Sequence, residues 1–181
     1  MTRSIGTAAL IGAIASILAS VLKGVGERWL QRAAESLWPP TEAQKELVGA
    51  DPSGHPENMP PAVLADRAAR WLGHGPLDDR SKLKAQDVIH YTFGAVFGAG
   101  YGIAAELIPI ITTGLGVPAG AGLYAVTHAT VLPLLGIQEP PGRLPRSAVA
   151  WELTSHLGFG LTLELGRRTA SRLLTGDRAA R

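Results

Sequence analysis

The chain has 181 residues, no cysteine, 46 % hydrophobic residues and a formal net charge of +2. Without cysteine there are no disulfides, no thiolate catalysis and no cysteine-ligated zinc or iron–sulfur centre. So small a net charge, with no basic stripe carrying interleaved aromatics, gives no footing for nucleic acid. The mean hydropathy of +0.14 averages over segregated charge: residues 88–136 carry one formal charge, Glu106, while the first third and the tail are crowded with them.

Residues 5–22 (IGTAALIGAIASILASVL) carry no charge over 18 residues, enough to cross a bilayer as a helix. Ala8, Gly12, Ser16, Ser20 and Gly24 recur every fourth residue, a ridge that lets a second helix approach closely in lipid. A cleaved signal peptide is the rival reading. The run is long for one, and no small-x-small cleavage site precedes Lys23, so a retained span is expected. Residues 31–87 are charged and proline-rich and read as an extramembrane loop. Within it, Thr41 and Gln44 have capping-box spacing. Residues 61–72 read as one amphipathic helix, stopped by Gly73, with Leu64, Ala68, Trp71 and Leu72 on one side. That helix is expected on the membrane surface or over the mouth of the bundle.

Residues 88–111 read as a second span with a ridge of Gly94, Gly98 and Gly102, ended or kinked by Pro109. In a soluble helix each of those glycines would cost nearly ~1 kcal/mol relative to alanine; between membrane helices they are contact surface. Pro118 suits the first turn of a third span, residues 118–135. GIQEPPGRLPR, residues 136–146, is a turn-rich loop, and residues 147–166 are a fourth span with Trp151 as an interfacial anchor. The expected fold is all-α: a polytopic four-helix transmembrane bundle divided as 1–30, a loop over 31–87, three helices over 88–166 and a basic tail over 167–181. Four spans put both termini on one side. Arg3 and the five arginines of the tail point that side to the cytoplasm. Membrane lipid is the expected surroundings, and homo-oligomerisation through the glycine ridges is the expected protein contact.

The candidate site is the set of polar residues inside these apolar segments. Glu152, His156, Gly160 and Glu164 are spaced by four and form a slowly turning stripe on one helix. A stripe of this kind must face protein or a water-filled cavity, since an ionised group in hydrocarbon costs at least ~3 kcal/mol. His90, Glu106 and His128 supply partners from the second and third spans, and Lys23 and Glu27 have ion-pair spacing at the end of the first. The groups fall at three depths: His90 and Glu152, then His128 and His156, then Glu106 and Glu164. Such a file suits a proton or cation pathway, with histidine as the group most easily tuned near neutrality. A structural network of hydrogen bonds between helices is the alternative. A third reading is a divalent metal on His128, Glu152 and His156, or a haem between the two histidines. His55 and His74 fall in the polar loop and are expected in solvent. No G-x-S-x-G, Walker or H-E-x-x-H motif is present, so an enzyme is not the expectation.

The order of these landmarks resembles the YagU-like bacterial inner-membrane proteins, a family of unknown function. The likeness runs through K-x-x-x-E at Lys23 and Glu27, Pro39–Pro40, His90, Gly100–Tyr101, A-E-x-x-P at Ala105, Glu106 and Pro109, and His128. It continues through P-L-x-G-x-x-x-P-P from Pro133 to Pro141, Leu144–Pro145, E-x-x-x-H at Glu152 and His156, and E-L-x-R-R from Glu164 to Arg168. Thr41 stands after the proline pair, where the family pattern leads one to expect arginine. The resemblance implies an inner-membrane location and supplies no reaction.

Overall fold

A computed structural model describes residues 4–175. Four helices dominate: α1 (Ile5–Leu37), α4 (Asp79–Leu107), α5 (Val117–Val126) with its continuation, and α7 (Arg146–Thr175). The short α2 (Glu42–Val48) and α3 (Pro60–Trp71) lie between α1 and α4. Beyond α5 the chain makes a π-turn over Thr127–Val131 and then the single turn α6 (Leu132–Leu134).

The expected elements are present, with extended ends. α1 continues to Leu37, past residue 22 where its uncharged run stops, and α4 begins at Asp79 rather than at residue 88. α7 carries the helix on to Thr175, so the basic tail starts as helix. Arg3, Arg178 and Arg181 lie outside the described residues. Local chemistry set several boundaries as expected. Thr41 and Gln44 form a reciprocal capping box, α3 closes on Gly73 at φ +84°, and α4 stops before Pro109.

Among the described residues three helical segments are long and apolar enough to cross a membrane: Ile5–Leu37, Asp79–Leu107 and Pro109–Leu134. α7 is not among them, because Glu152, His156 and Glu164 interrupt its apolar run. Burial explains how α7 tolerates them, since Glu152, His156, Glu164, Ser147, Ser155 and Ser171 are all buried. α1 shows the opposite pattern to a water-soluble helix. Its large side chains Leu10, Ile14, Leu18, Leu22 and Val25 are exposed, while Ala8, Ala15, Ser16, Ala19 and Ser20 are buried. Small residues inward and large apolar residues outward is the distribution hydrocarbon favours.

The chain forms two compact units, and α1, α4, α5 and α7 contribute residues to both. The first comprises Met1–Gly24, Tyr91–Gly122 and His156–Arg181. Here the two small-residue ridges meet. A Cβ on Gly98 would overlap the Ser16 Cβ and the Gly12 carbonyl, and one on Gly102 would overlap the Ala8 carbonyl. Ser16 Oγ donates to the Gly94 carbonyl at 2.6 Å. Gly24, at the end of the ridge, faces open space. A second seam joins the α5 segment to α7, where Gly116 and Gly120 lie against the backbone of His156 and Gly160. Phe97 and Phe159 pack with ring centroids 5.9 Å apart, and Gly166 lies against Ala15.

The second unit comprises Val25–His90 and Leu123–Ser155. Its core gathers Ala34, Ala50, Met59 and Trp151, flanked by Leu30, Val48 and Ala150. Trp151 is therefore a core residue at 3 % exposure and not the interfacial anchor expected of it; the loop after α1 supplies the apolar cover. The turn after α2 is built on Asp51, whose Oδ1 accepts from the Ser53 and Gly54 N–H groups and from the Gln31 amide. Burial pushes the Asp51 carboxyl up, but these donors hold it below the ordinary carboxylate range.

The ridge contact gives a direct test. Gly98→Ala should lower the melting temperature in detergent, with overpacking costing about 1–3 kcal/mol. Gly100→Ala, where a Cβ meets nothing within 4 Å, should leave stability unchanged or slightly raised. Equal stability of the two variants would contradict the close approach of α1 and α4.

Candidate functional site

Two polar constellations are built on α7, one in each unit. In the second unit α7 presents Glu152, with 1 % exposure. The third helix brings His128 to it. That helix loses regularity around His128 for identifiable reasons. Pro133 has no N–H to give the Ala129 carbonyl, and the threonines hydrogen-bond backward, Thr127 Oγ1 to the Leu123 carbonyl and Thr130 Oγ1 to the Ala125 carbonyl. The π-turn that results places His128 in an irregular stretch, a feature common at functional sites. The helix then ends in a Schellman motif. Gly136 sits at φ +61°, its N–H bonds to the Pro133 carbonyl, and the Ile137 N–H bonds to the Leu132 carbonyl. The chain turns back, and the next residue, Gln138, is buried.

Gln138 closes the constellation. His128 Nδ1 lies 2.8 Å from Gln138 Oε1 and 3.2 Å from Glu152 Oε2. Gln138 Nε2 donates to the same Glu152 oxygen at 2.9 Å. Both neighbours of Nδ1 are acceptors, so Nδ1 carries a hydrogen and the neutral ring keeps its lone pair on Nε2. The Tyr124 ring stacks on the imidazole at 5.6 Å with an interplanar angle of 6°, fixing its plane. The triangle thus couples an imidazole directly to a carboxylate, with an amide holding both.

In the first unit the constellation centres on Glu164, which is fully buried. Its carboxylate accepts from Tyr101 Oη at 3.0 Å, from Arg167 Nε and Nη2 at 2.7 and 2.9 Å and from Arg168 Nε at 2.6 Å. Four donors use the roughly four lone-pair positions of a carboxylate. Arg168 also reaches the Thr112 carbonyl at 3.3 Å, tying the end of α7 to the turn after α4. Glu106 lies within electrostatic reach of Arg167. Two carboxylates are thus set against two guanidinium groups.

The structure joins His128 to Glu152, and Glu106 and Glu164 to one charge cluster. His156 is buried on α7 one turn after Glu152, its carbonyl against Gly120. His90 is half-buried on α4, and Lys23 and Glu27 stand one turn apart on α1, Glu27 buried. His55 is largely exposed and pairs with Glu57 at 2.9 Å. Among the described residues no three His, Asp or Glu side chains are grouped to hold a metal ion, so the metal set of His128, Glu152 and His156 gains no support. Sequence reasoning missed Gln138, Tyr101, Arg167 and Arg168 as members. The signals were the P-L-x-G-x-x-x-P-P, Gly–Tyr and E-L-x-R-R elements, whose spacing frames each of them.

The model of the family described as "Protein of unknown function (DUF1440)" matches residues 31–165. The chain belongs to this family. The match covers the His128–Gln138–Glu152 triangle and Glu164, and stops before the arginines that bind Glu164. The inner membrane protein YagU of Escherichia coli (strain K12) is 29 % identical over 189 residues, covering 97 % of this chain and 89 % of that protein. No solved structure matches the chain.

The Glu164 cluster predicts a large stability effect. Glu164→Ala leaves two guanidinium groups and a phenol around an empty acceptor position, and breaking a buried pair in this way costs about 3–5 kcal/mol. Glu139→Ala removes only an exposed partner of Arg143, worth about 0–1 kcal/mol. Thermal unfolding of both variants in detergent checks the contrast; similar losses would show that Glu164 is not the buried partner described.

Proposed function

We propose that this is a four-span inner-membrane protein, α7 being the fourth span, and that His128, Gln138 and Glu152 form a proton-exchanging site within it. Four spans are supported inside each unit separately. In the second, the loop after α1 shares a core with Trp151 at the start of α7. In the first, Gly166 near the end of α7 lies against Ala15 near the start of α1. That a similar protein is an inner membrane protein by name supports the location. Both termini then lie on one side, which we assign to the cytoplasm from the arginines of the tail.

One observation carries the functional reading: the imidazole and carboxylate are 3.2 Å apart, inside an apolar helical region, at a π-turn. The imidazole can take a proton at Nε2 and release the Nδ1 proton to Glu152 Oε2, which leaves a neutral ring with its hydrogen on Nε2; loss of the Glu152 proton onward and return of the ring hydrogen to Nδ1 by tautomer exchange or ring rotation reset the site. Gln138 moves no proton; it holds the two groups at transfer distance. Glu164, with its lone pairs filled, acts as a fixed charge. A purely structural reading is supported by that same Glu164 cluster, whose carboxylate is saturated by Tyr101, Arg167 and Arg168.

The test is pH-driven proton flux in proteoliposomes. Wild type should conduct, while His128→Ala and Glu152→Gln, still folded by circular dichroism, should lose flux by about 10²-fold or more, the usual worth of a positioned acid–base group. No flux in the wild type above lipid alone would transfer the site to the structural reading.

A further inference from the structure

The triangle depends on where Gln138 is held, and Gln138 has no regular element to hold it. It lies in the turn that follows α6. That turn is gripped from a distant part of the sequence. Arg67, on α3, donates from Nη1 to the Leu135 carbonyl and from Nη2 to the Gly136 carbonyl, both at 2.6 Å. These carbonyls lie at the C-terminal end of the helix carrying His128, where the backbone dipole is negative and a guanidinium is favoured. Two parallel bonds from one planar fork fix direction as well as distance. Only Ile137 separates the second of these carbonyls from Gln138. α3 is itself tied down, since Asp66 accepts from the Leu77 N–H at 2.7 Å and from Arg70 Nε at 2.9 Å. The Leu77 N–H and the Arg70 guanidinium hold the Asp66 carboxyl below its ordinary range, so this tie persists at neutral pH.

The geometry points to Arg67 as a positioning residue for the intramembrane site: the loop helix α3, through Arg67, sets the turn that presents Gln138 to His128 and Glu152. This gives the loop after α1 a role, control of the site from outside the apolar segments. It rests on the triangle being the functional site, but its test reads the triangle and not transport. Movement of α3 would withdraw the guanidinium, loosen the turn and break the amide bridge, leaving imidazole and carboxylate without their spacer.

The test uses the full chain in nanodiscs, labelled with ¹⁵N-histidine, and follows solvent exchange of the His128 Nδ1 proton. In wild type that proton is held between Gln138 and Glu152 and exchanges slowly. Gln138→Ala should speed exchange about tenfold or more, as opening of a protected hydrogen bond does. Arg67→Ala should do the same, although Arg67 touches neither His128 nor Gln138 by any contact described above. Trp71→Ala, on the same helix but with its side chain 85 % exposed, should leave exchange close to wild type. Should Arg67→Ala fail to fold, Arg67→Lys provides the reading: a single ammonium cannot reproduce the fork, and exchange should lie between wild type and Gln138→Ala. Wild-type exchange in the folded Arg67 variant would overturn the inference. Absence of flux in the wild type would count against the transport reading alone and leave this result standing.

Discussion

A buried carboxylate or imidazole in an apolar helix must find its partners inside the protein, because hydrocarbon offers none. The buried polar groups of α7 meet that demand within the protein. It is the least apolar of the long helices and carries the most completely buried polar groups, Glu152 and Glu164 among them. α1 makes less of that demand: along its uncharged run it turns Leu10, Ile14, Leu18 and Leu22 outward and keeps mostly alanine and serine inside, and its buried Glu27 and Gln31 come only beyond that run.

Glycine supplies the room for this. Gly98 and Gly102 bring α4 against α1 at backbone distance, and Gly116, Gly120 and Gly160 do the same for the α5 segment and α7. In water, glycines in helices would weaken each one. Between helices they let carbonyls and small side chains touch, which is where packing energy in lipid comes from. Tyr101 can then reach Glu164 from α4 at 3.0 Å. The two polar constellations use the same helix differently. Glu164 is saturated by four donors and fixed, whereas Glu152 meets an imidazole directly and shares a neutral amide with it.

The sequence made the helices and most of their ends legible, because those signals are local: the capping box at Thr41, the stop at Gly73, the break at Pro109, the start at Pro118. Both ridges were legible as ridges from the four-residue spacing, although that spacing could not say that they face each other. The polar stripe of α7 was legible for the same reason. What escaped depends on contacts far apart in sequence. Gln138 sits among turn residues, and only the Schellman turn at Gly136 carries it inward. Arg167 and Arg168 looked like tail charge because nothing in their neighbourhood announces that the helix continues past Gly166. Trp151 looked interfacial because its cover comes from Ala34, Ala50 and Met59, more than ninety residues earlier.

In the first unit α7 packs against α1, with Gly166 lying against Ala15. The cysteine-free chain allows one direct measurement. A Cβ at Gly166 would stand 3.3 Å from the Ala15 Cβ, close to the roughly 3.5–4.5 Å that a disulfide spans. Ala15→Cys with Gly166→Cys, oxidised mildly in native membranes, should form an internal disulfide. Leu10→Cys with Gly166→Cys should not, since Leu10 is on the exposed face of α1. Two thiols that remain reduced and open to alkylation in the first pair would show that α7 does not pack against α1.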